Sequence, residues 1–302
     1  MLTEELMREV RRLRVSTSRR VDDLFAGEYQ SAFKGQGIEF AEVREYEPGD
    51  DVRSIDWNVT ARAGKPFIKR FVEERQLTVV FAVDTSASSL FGTVGRTKAR
   101  LLAEAGAAIS LAAQTKRVRI GFMRFSDAVD LWVAPGRGPR HLLRIIRELV
   151  AAEPAGTGAA FPEAVERLSR LLKRRAVIFL ASDWLLPPIE GDVPAPPARL
   201  ETALKVLTRR NDVIALRAAD RRDADIPALG LVAMRDPETG RTVSVDTASK
   251  RVRAHLRDAH DAQQRATDAL LRRTGVDLVD LATDRPFVTD LLRYFRLREQ
   301  RR

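Results

Sequence analysis

The sequence predicts an α/β protein with a doubly wound, mostly parallel sheet of six strands, and three observations lead to this class. Two apolar runs, 77–83 and 176–181, have the length and β-branched content of strands that are buried on both faces. Strand-like and helix-like segments alternate from residue 77 onward. An acidic residue stands at each strand end, Asp84 directly after the first run and Asp183 two residues after the second. Open α/β sheets place their ligand sites at such carboxyl ends of strands.

The elements from residue 77 onward follow the order β-α-β-β-α-α-β-α-β-α-β-α once one hairpin is set aside. The short turn 126–128 makes two consecutive strands antiparallel, so the sheet has one antiparallel edge strand. The inserted hairpin is predicted around the turn 236–240. Strands are predicted at 77–83, 118–125, 129–133, 176–181, 213–217 and 276–281, and helices at about 96–116, 138–152, 161–174, 248–273 and 286–297, with a further helix ending near 210.

The chain is predicted to divide into an N-terminal accessory segment, 1–76, and a main domain, 77–302. Apolar residues at helical spacing indicate one or two helices within 1–25. The rest of the accessory segment is rich in glycine and in charges of both signs, with strands predicted at 40–46 and 66–71. We expect a small, irregular or antiparallel piece whose charges pair internally.

Composition limits the possible functions. The formal charge of +10 comes from 52 basic and 42 acidic residues spread along the chain. No nucleic-acid-binding motif accompanies this charge, so a nucleic-acid-binding module is kept only as an alternative. The chain has no cysteine and three scattered histidines, which argues against disulfides and zinc. Because no apolar run approaches the roughly 20 residues of a membrane span and the N-terminus lacks a signal core, we expect a cytoplasmic location.

The residues after the first apolar run suit a cation. Asp84, Ser86 and Ser88 form Asp-x-Ser-x-Ser at a strand end, Thr157 lies in a Gly-Thr-Gly turn, and Asp183 follows the second apolar run. Carboxylate and hydroxyl oxygens are ligands for hard divalent cations. The alternative is that the hydroxyl residues only cap helices.

This pattern resembles the metal-ion-dependent adhesion site (MIDAS) of von Willebrand factor A domains, and the predicted element order is also similar to theirs. The resemblance implies that Asp84, Ser86, Ser88, Thr157 and Asp183 hold a divalent metal. Mg²⁺ is the expected ion, with Mn²⁺ or Ca²⁺ as alternatives. The resemblance also implies that the ion remains open to an acidic side chain of a partner.

The accessory segment contains a further set of motif residues: 27–31, Gly35, Gly37, Glu39, Phe40, 44–51, Arg53, 55–57, Ala61, Arg62, Glu73 and Glu74. These residues resemble a widespread prokaryotic family, the domain-of-unknown-function family fifty-eight. Its members have a von Willebrand A-like core and are commonly encoded beside MoxR-type AAA+ ATPases. The resemblance implies a non-enzymatic, chaperone-like adaptor that binds a protein client and acts with such an ATPase in assembly, maturation or metal insertion.

Enzymatic alternatives have weaker support in the sequence. A Ser-His-Asp hydrolase is disfavoured because no histidine lies at a strand end or in a suitable loop. The segment 92–98 lacks the spacing of a phosphate-binding loop. A Mg²⁺-dependent phosphohydrolase at Asp84 and Asp183 stays open as an alternative, although the sequence offers no evident general base.

Two surfaces are expected to contact a partner. One is the metal face, formed by the loops 86–95, 154–160 and 184–197, in which Trp184 is expected to face the partner. The other is the charged segment 44–74. The sequence leaves open whether Asp127 is more than a turn residue.

Overall fold

The computed structural model describes residues 42–48, 50–52, 55–70, 77–115, 118–185 and 197–300. These residues belong to two compact units, of which the smaller is Gln30–Gln76. The helices predicted within 1–25 lie outside the described residues, as do 71–76 and 186–196.

The smaller unit contains two short strands that form an antiparallel pair, and the chain between them forms a helix. Strand β1 (Glu42–Glu45) pairs with β2 (Phe67–Arg70), and helix α1 (Trp57–Ala63) lies between them in sequence. The sequence analysis missed α1, whose ends carry clear signals. The Asp56 carboxylate accepts a hydrogen bond from the backbone N–H of Asn58, and Gly64 ends the helix at a φ of 70°.

Strands and helices alternate along the larger unit. Its strands are β3 (Thr78–Asp84), β4 (Arg119–Phe125), β5 (Val129–Gly136), β6 (Val177–Ser182), β7 (Asp212–Ala219), β8 (Leu231–Arg235), β9 (Thr242–Asp246) and β10 (Asp277–Ala282). Its helices are α2 (Lys98–Thr115), α3 (Pro139–Val150), α4 (Phe161–Leu171), α5 (Ala198–Thr208), α6 (Arg221–Ala224), α7 (Lys250–Thr274) and α8 (Phe287–Gln300). A turn of 3₁₀ helix covers Ala87–Leu90.

Six of these strands form one sheet in the order β10-β7-β6-β3-β4-β5. All neighbours are parallel except β5, which runs antiparallel to β4 at the edge. The predicted fold class is therefore confirmed, including the antiparallel edge strand and the separate hairpin of β8 and β9. Every residue of β3 and β6 is buried, as expected for the centre of a sheet covered on both faces.

Helices pack on both sides of the central strand β3. On one side, Val80 and Ala82 belong to a core that also holds Leu168 of α4 and Leu204 of α5. On the other side, α2 approaches so closely that a Cβ added to Gly106 would lie 2.7 Å from Phe81 Cε1. Glycine therefore allows α2 to lie flat against β3. Parallel pairing of β3 with β6 places the carboxyl ends of these two strands side by side.

The described helices include none that is both long and apolar enough to cross a membrane. The longest, α7, is rich in arginine along its length.

Candidate metal site

Asp84 is the last residue of β3, and its carboxylate is fixed by donors from two elements. One oxygen, Oδ1, accepts a hydrogen bond of 2.9 Å from the backbone N–H of Ser86. The other, Oδ2, accepts one of 2.8 Å from the hydroxyl of Ser182 at the end of β6. The Ser182 oxygen in turn accepts a hydrogen bond from the backbone N–H of Trp184. The ends of β3 and β6 are thereby tied together through this carboxylate.

Ser86 and Ser88 present their hydroxyls to one another beside Asp84. Their Oγ atoms are 3.1 Å apart, and the Ser86 side chain also hydrogen-bonds to the Asp84 carboxylate. Ser86 is the N-cap residue of the 3₁₀ turn but makes no side-chain capping bond. Its hydroxyl therefore belongs to the cluster around Asp84 and not to a helix end.

Thr157 lies on a loop that presses against the same cluster. Its backbone N–H and its hydroxyl each donate a 2.7 Å hydrogen bond to Asp127 Oδ1. Gly158 adopts a φ of 71° and lies close to the cluster, since a Cβ there would lie 3.3 Å from Ser86 Cβ and 3.6 Å from Asp84 Oδ2. Asp127 thus orients Thr157, and because the hydroxyl donates to it, the lone pairs of that oxygen stay available. These hydrogen bonds lower the pKa of Asp127.

Asp183 is buried at the end of β6 and is held by a buried lysine. Its Oδ1 accepts a hydrogen bond from the backbone N–H of Leu185, and its Oδ2 lies 3.5 Å from Lys98 Nζ. Lys98 also contacts Asp223 Oδ1 at 2.9 Å and is only 1% exposed. The sequence analysis missed this lysine. The sequence places Lys98 near the start of a predicted helix, but its partner Asp223 is far away in sequence, so their contact could not be predicted.

The electrostatics of the cluster favour a positive ion. Burial, followed by the negative charge of Asp183, raises the pKa of Asp84 to about 6 despite its hydrogen bonds to Ser86 and Ser182. A bound divalent cation would offset the repulsion between the two carboxylates. The donor set of two carboxylates with serine and threonine hydroxyls fits a hard ion such as Mg²⁺.

The acidic content of the site is low. Among the residues with described coordinates, no three Asp, Glu, His or Cys side chains lie close enough to form a metal-binding group. An ion bound here would therefore depend on hydroxyl groups and water for much of its coordination. The structure brings together four of the five predicted ligands, Asp84, Ser86, Ser88 and Asp183, and places Thr157 on the adjoining loop.

A third carboxylate, missed by the sequence analysis, approaches the site from the hairpin. Glu238 lies in the turn between β8 and β9, where the Ser88 side chain acts to lower the pKa of its carboxyl group. Burial raises the pKa of Glu238 to about 7, and the charges of Asp183 and Asp84 add to the increase. The sequence contains the residue in a predicted turn, but nothing in the pattern indicates that the turn reaches Ser88.

The expectation that Trp184 faces a partner is wrong. Its side chain is 1% exposed and its ring packs on Phe161 with centroids 4.7 Å apart. The backbone at Trp184 has a φ of 57°, which is unusual for a residue other than glycine. Burial of the large ring in the core accounts for the inward turn of the chain after Asp183. In the described part of the chain, its indole N–H has no hydrogen-bond partner.

The apolar side chains that do face solvent near the site lie at the end of the 3₁₀ turn and just after it. Leu90, Phe91 and Val94 are 51%, 41% and 51% exposed. This loop belongs to the predicted metal face. Of the third predicted loop, residues 186–196 lie outside the described residues.

The strand order, the antiparallel edge strand and the cluster at the carboxyl ends of β3 and β6 define a domain of the von Willebrand factor A type. The family model described as "Protein of unknown function DUF58" matches residues 42–266. The chain belongs to this family, as its resemblance to the domain-of-unknown-function family fifty-eight implied.

Apart from this family model, the chain is also similar to individual proteins. An uncharacterized protein of Mycobacterium bovis is 32% identical over 295 residues, which cover 96% of this chain and 89% of the relative. A von Willebrand factor type A protein from Catenulispora acidiphila aligns with a TM-score of 0.41 at 15% identity, covering 74% of this chain and 42% of that one. The SpRpn10 VWA domain aligns with a TM-score of 0.40 at 12% identity, covering 72% of this chain and 95% of that one. With TM-scores this low, the fold assignment rests on the strand order of this chain.

Proposed function

We propose that this protein is a non-enzymatic, metal-dependent adaptor that binds a protein client and acts with a MoxR-type AAA+ ATPase in assembly, maturation or metal insertion. The observation that supports a binding role is the convergence of Asp84, Ser86, Ser88 and Asp183 at one edge of the sheet. The ATPase enters the proposal through the family resemblance alone.

Each residue of the cluster has a part in holding the ion under this proposal. Asp84, Ser86 and Ser88 would contribute oxygen ligands, while Thr157 and Asp183 would bind directly or through water. When bound, the ion would supply an electrophilic centre for a carboxylate of the partner. Ser182 and Asp127 orient two of these ligands through hydrogen bonds of 2.8 and 2.7 Å. Such supporting hydrogen bonds contribute to metal affinity in known sites.

The surroundings of the site support a protein partner. Leu90, Phe91 and Val94 expose apolar surface next to Ser88 in sequence. A contact that combines one acidic side chain on the ion with apolar packing beside it gives both orientation and binding energy. We therefore expect the client to present an acidic residue within an apolar segment.

Metal binding is tested first with purified protein. We expect Mg²⁺ to bind wild type in calorimetric titration and to raise its melting temperature, and both effects to be lost in Asp84→Asn. Asp258→Asn, which removes an exposed acid from α7, serves as the matched control and should respond like wild type. Equal Mg²⁺ responses in all three proteins would contradict the proposed site.

Partner binding is tested by affinity capture from the native lysate. A MoxR-type ATPase or a defined client should be retained by wild type with Mg²⁺ and released by EDTA and by Asp84→Asn. If the same partners are retained under all conditions, the adaptor role would not depend on the metal. Retention of nucleic acid alone, with a steep salt dependence, would instead favour the nucleic-acid-binding alternative.

A second candidate function is metal-assisted phosphoester hydrolysis. The observation that favours it is the Glu238 carboxylate beside Ser88, because a pKa of about 7 suits a general base. This candidate predicts Mg²⁺-dependent release of phosphate from p-nitrophenyl phosphate, with activity lost in both Asp84→Asn and Glu238→Gln. Absence of such activity in Mg²⁺-bound wild type would remove support for it.

A further inference from the structure

Two loops at the amino-terminal edge of the sheet are rich in cations. The loop before β6 contains Lys173, Arg174 and Arg175, and the loop before β7 contains Arg209 and Arg210. Because β6 and β7 are parallel neighbours, the starts of these two strands lie side by side. The five residues together are called the basic edge below.

Hydrogen bonds between the two loops hold them next to one another. The side chain of Asn211 is buried, and its Oδ1 accepts a 3.1 Å hydrogen bond from the backbone N–H of Ala176. The carbonyl of Ala176 in turn accepts a 2.9 Å hydrogen bond from the backbone N–H of Asp212. Arg175 and Arg210 directly precede Ala176 and Asn211, so the cations of both loops are kept close together.

The charge of the basic edge is not neutralised within the described residues. All five side chains are exposed, and in that part of the chain none of them makes a hydrogen bond or an ion pair. The acids that begin β7 and β10, Asp212 and Asp277, are compensated by Arg298 of α8. The like charges of the basic edge therefore repel one another in solvent, and a bound polyanion would relieve this repulsion.

Apolar side chains are exposed beside these cations. Leu171, the last residue of α4, is 38% exposed, and Val206, in the last turn of α5, is 48% exposed. Val206 and Arg209 are three residues apart at the end of α5, a spacing that places them on the same face. Helices α4 and α5 pack against one another, so both apolar side chains flank the basic edge.

Cations next to exposed aliphatic side chains are the combination that binds anionic lipid bilayers. Arginine and lysine attract lipid phosphates, and apolar side chains enter the boundary between headgroups and acyl chains. We propose that the basic edge, together with Leu171 and Val206, binds the protein to the surface of an anionic bilayer. Nucleic acids also present phosphates, but aliphatic side chains contribute nothing to binding a phosphate backbone.

This inference goes beyond the proposed function and does not depend on it. The basic edge precedes β6 and β7, whereas Asp84 and Asp183 lie at the opposite, carboxyl-terminal ends of β3 and β6. Bilayer binding at this surface therefore requires no metal. Tests in EDTA can fail or succeed without any bearing on the metal site.

Co-sedimentation with vesicles in EDTA tests the contribution of charge. Wild type should bind vesicles of equal parts phosphatidylglycerol and phosphatidylcholine, and it should not bind vesicles of phosphatidylcholine alone. Arg174→Gln/Arg209→Gln should weaken binding about 30-fold, since each cation near an anionic surface contributes a factor of about five. The matched control is Lys250→Gln/Arg251→Gln, which removes the same charge from exposed residues at the start of α7, the end of that helix distant from β10. Equal weakening in the two double variants, or no binding by wild type, would overturn the inference.

A second comparison distinguishes a bilayer from a nucleic acid. Leu171→Gln/Val206→Gln keeps every cation and should weaken vesicle binding about tenfold, because apolar contacts with the acyl chains are lost. Duplex DNA is the second probe, and its retention should be unaffected by these two substitutions. Vesicle binding that is unchanged in Leu171→Gln/Val206→Gln, together with DNA retention that requires Arg174 and Arg209, would assign the basic edge to nucleic acid and overturn the inference.

Discussion

The hydroxyl of Ser182 donates a 2.8 Å hydrogen bond to Asp84, and the Ser182 oxygen accepts one of 3.0 Å from the backbone N–H of Trp184. One buried hydroxyl therefore satisfies the site carboxylate and the backbone of a residue with positive φ. Because Ser182 ends β6 and Asp84 ends β3, this hydrogen bond links the two carboxyl ends that form the site.

Ser182→Ala should lower the free energy of unfolding by about 1–3 kcal/mol, because a buried carboxylate loses a donor and a buried N–H loses its acceptor. Urea denaturation in EDTA measures the change. Ser169→Ala in α4, whose hydroxyl only bonds the carbonyl of Val165 within its own helix, is the control and should change stability by less than about 0.5 kcal/mol. Equal effects of the two changes would contradict the assigned role.

Lys98→Met should destabilise the protein by about 3–5 kcal/mol, because Asp183 and Asp223 would lose their shared buried cation. Thermal or urea unfolding without metal measures this. Adding Asp223→Asn to Lys98→Met should restore part of the loss, since one of the two uncompensated charges is then removed. The control is Lys205→Met, whose exposed ion pair with Glu201 should contribute less than about 1 kcal/mol. A loss at Lys98 no larger than at Lys205 would refute the argument.

The fold could be predicted from local sequence because its signals are local. Apolar runs identified β3 and β6, and a three-residue turn identified the antiparallel pair of β4 and β5. The cluster of polar side chains could be predicted as well, since its members lie at or soon after the carboxyl end of a strand or in a short glycine turn. Whether a metal binds there stays a prediction.

The interactions around the site could not be predicted, because their partners are distant in sequence. Lys98 meets Asp223, and Ser182 meets Asp84, only after the sheet has assembled. Trp184 was misassigned for a related reason. A tryptophan at the start of a proline-rich loop has the pattern of an exposed residue, and only the packing of its ring on Phe161 shows that it belongs to the core.

Asp220 provides a prediction on pH. Burial raises the pKa of this carboxyl, but hydrogen bonds from Thr283, Thr93 and the backbone N–H of Arg222 outweigh it and lower the pKa to about 2. Because the pKa in the folded state is depressed, the carboxylate stabilises the protein above pH 4 by about 2 kcal/mol. That contribution should decline as the pH falls from about 4 towards 2.

The measurement compares urea unfolding of wild type and Asp220→Asn at pH 6 and pH 3. The difference in the free energy of unfolding between them should be roughly halved at pH 3. Asp130→Asn, which removes an exposed acid paired with Arg124, should show a small difference at both values. A gap between wild type and Asp220→Asn that stays constant or widens in acid would show that the assigned pKa direction is wrong.

Replacement of Asp127 tests whether the Thr157 loop takes part in metal binding. Asp127→Asn replaces the acceptor of two 2.7 Å hydrogen bonds by a neutral amide, which weakens the orientation of the Thr157 hydroxyl. If Thr157 contributes to the ion, the affinity for Mg²⁺ should fall about 10–100-fold, as found for residues that orient metal ligands. Calorimetric titration with Mg²⁺ measures this affinity, and Thr157→Val is expected to give a loss at least as large.

Because Asp127 is exposed, the free energy of unfolding in EDTA should change little in Asp127→Asn, so a loss of Mg²⁺ affinity would reflect the site itself. An unchanged affinity in both variants would remove Thr157 from the ligand set and leave Asp127 as a residue of the turn.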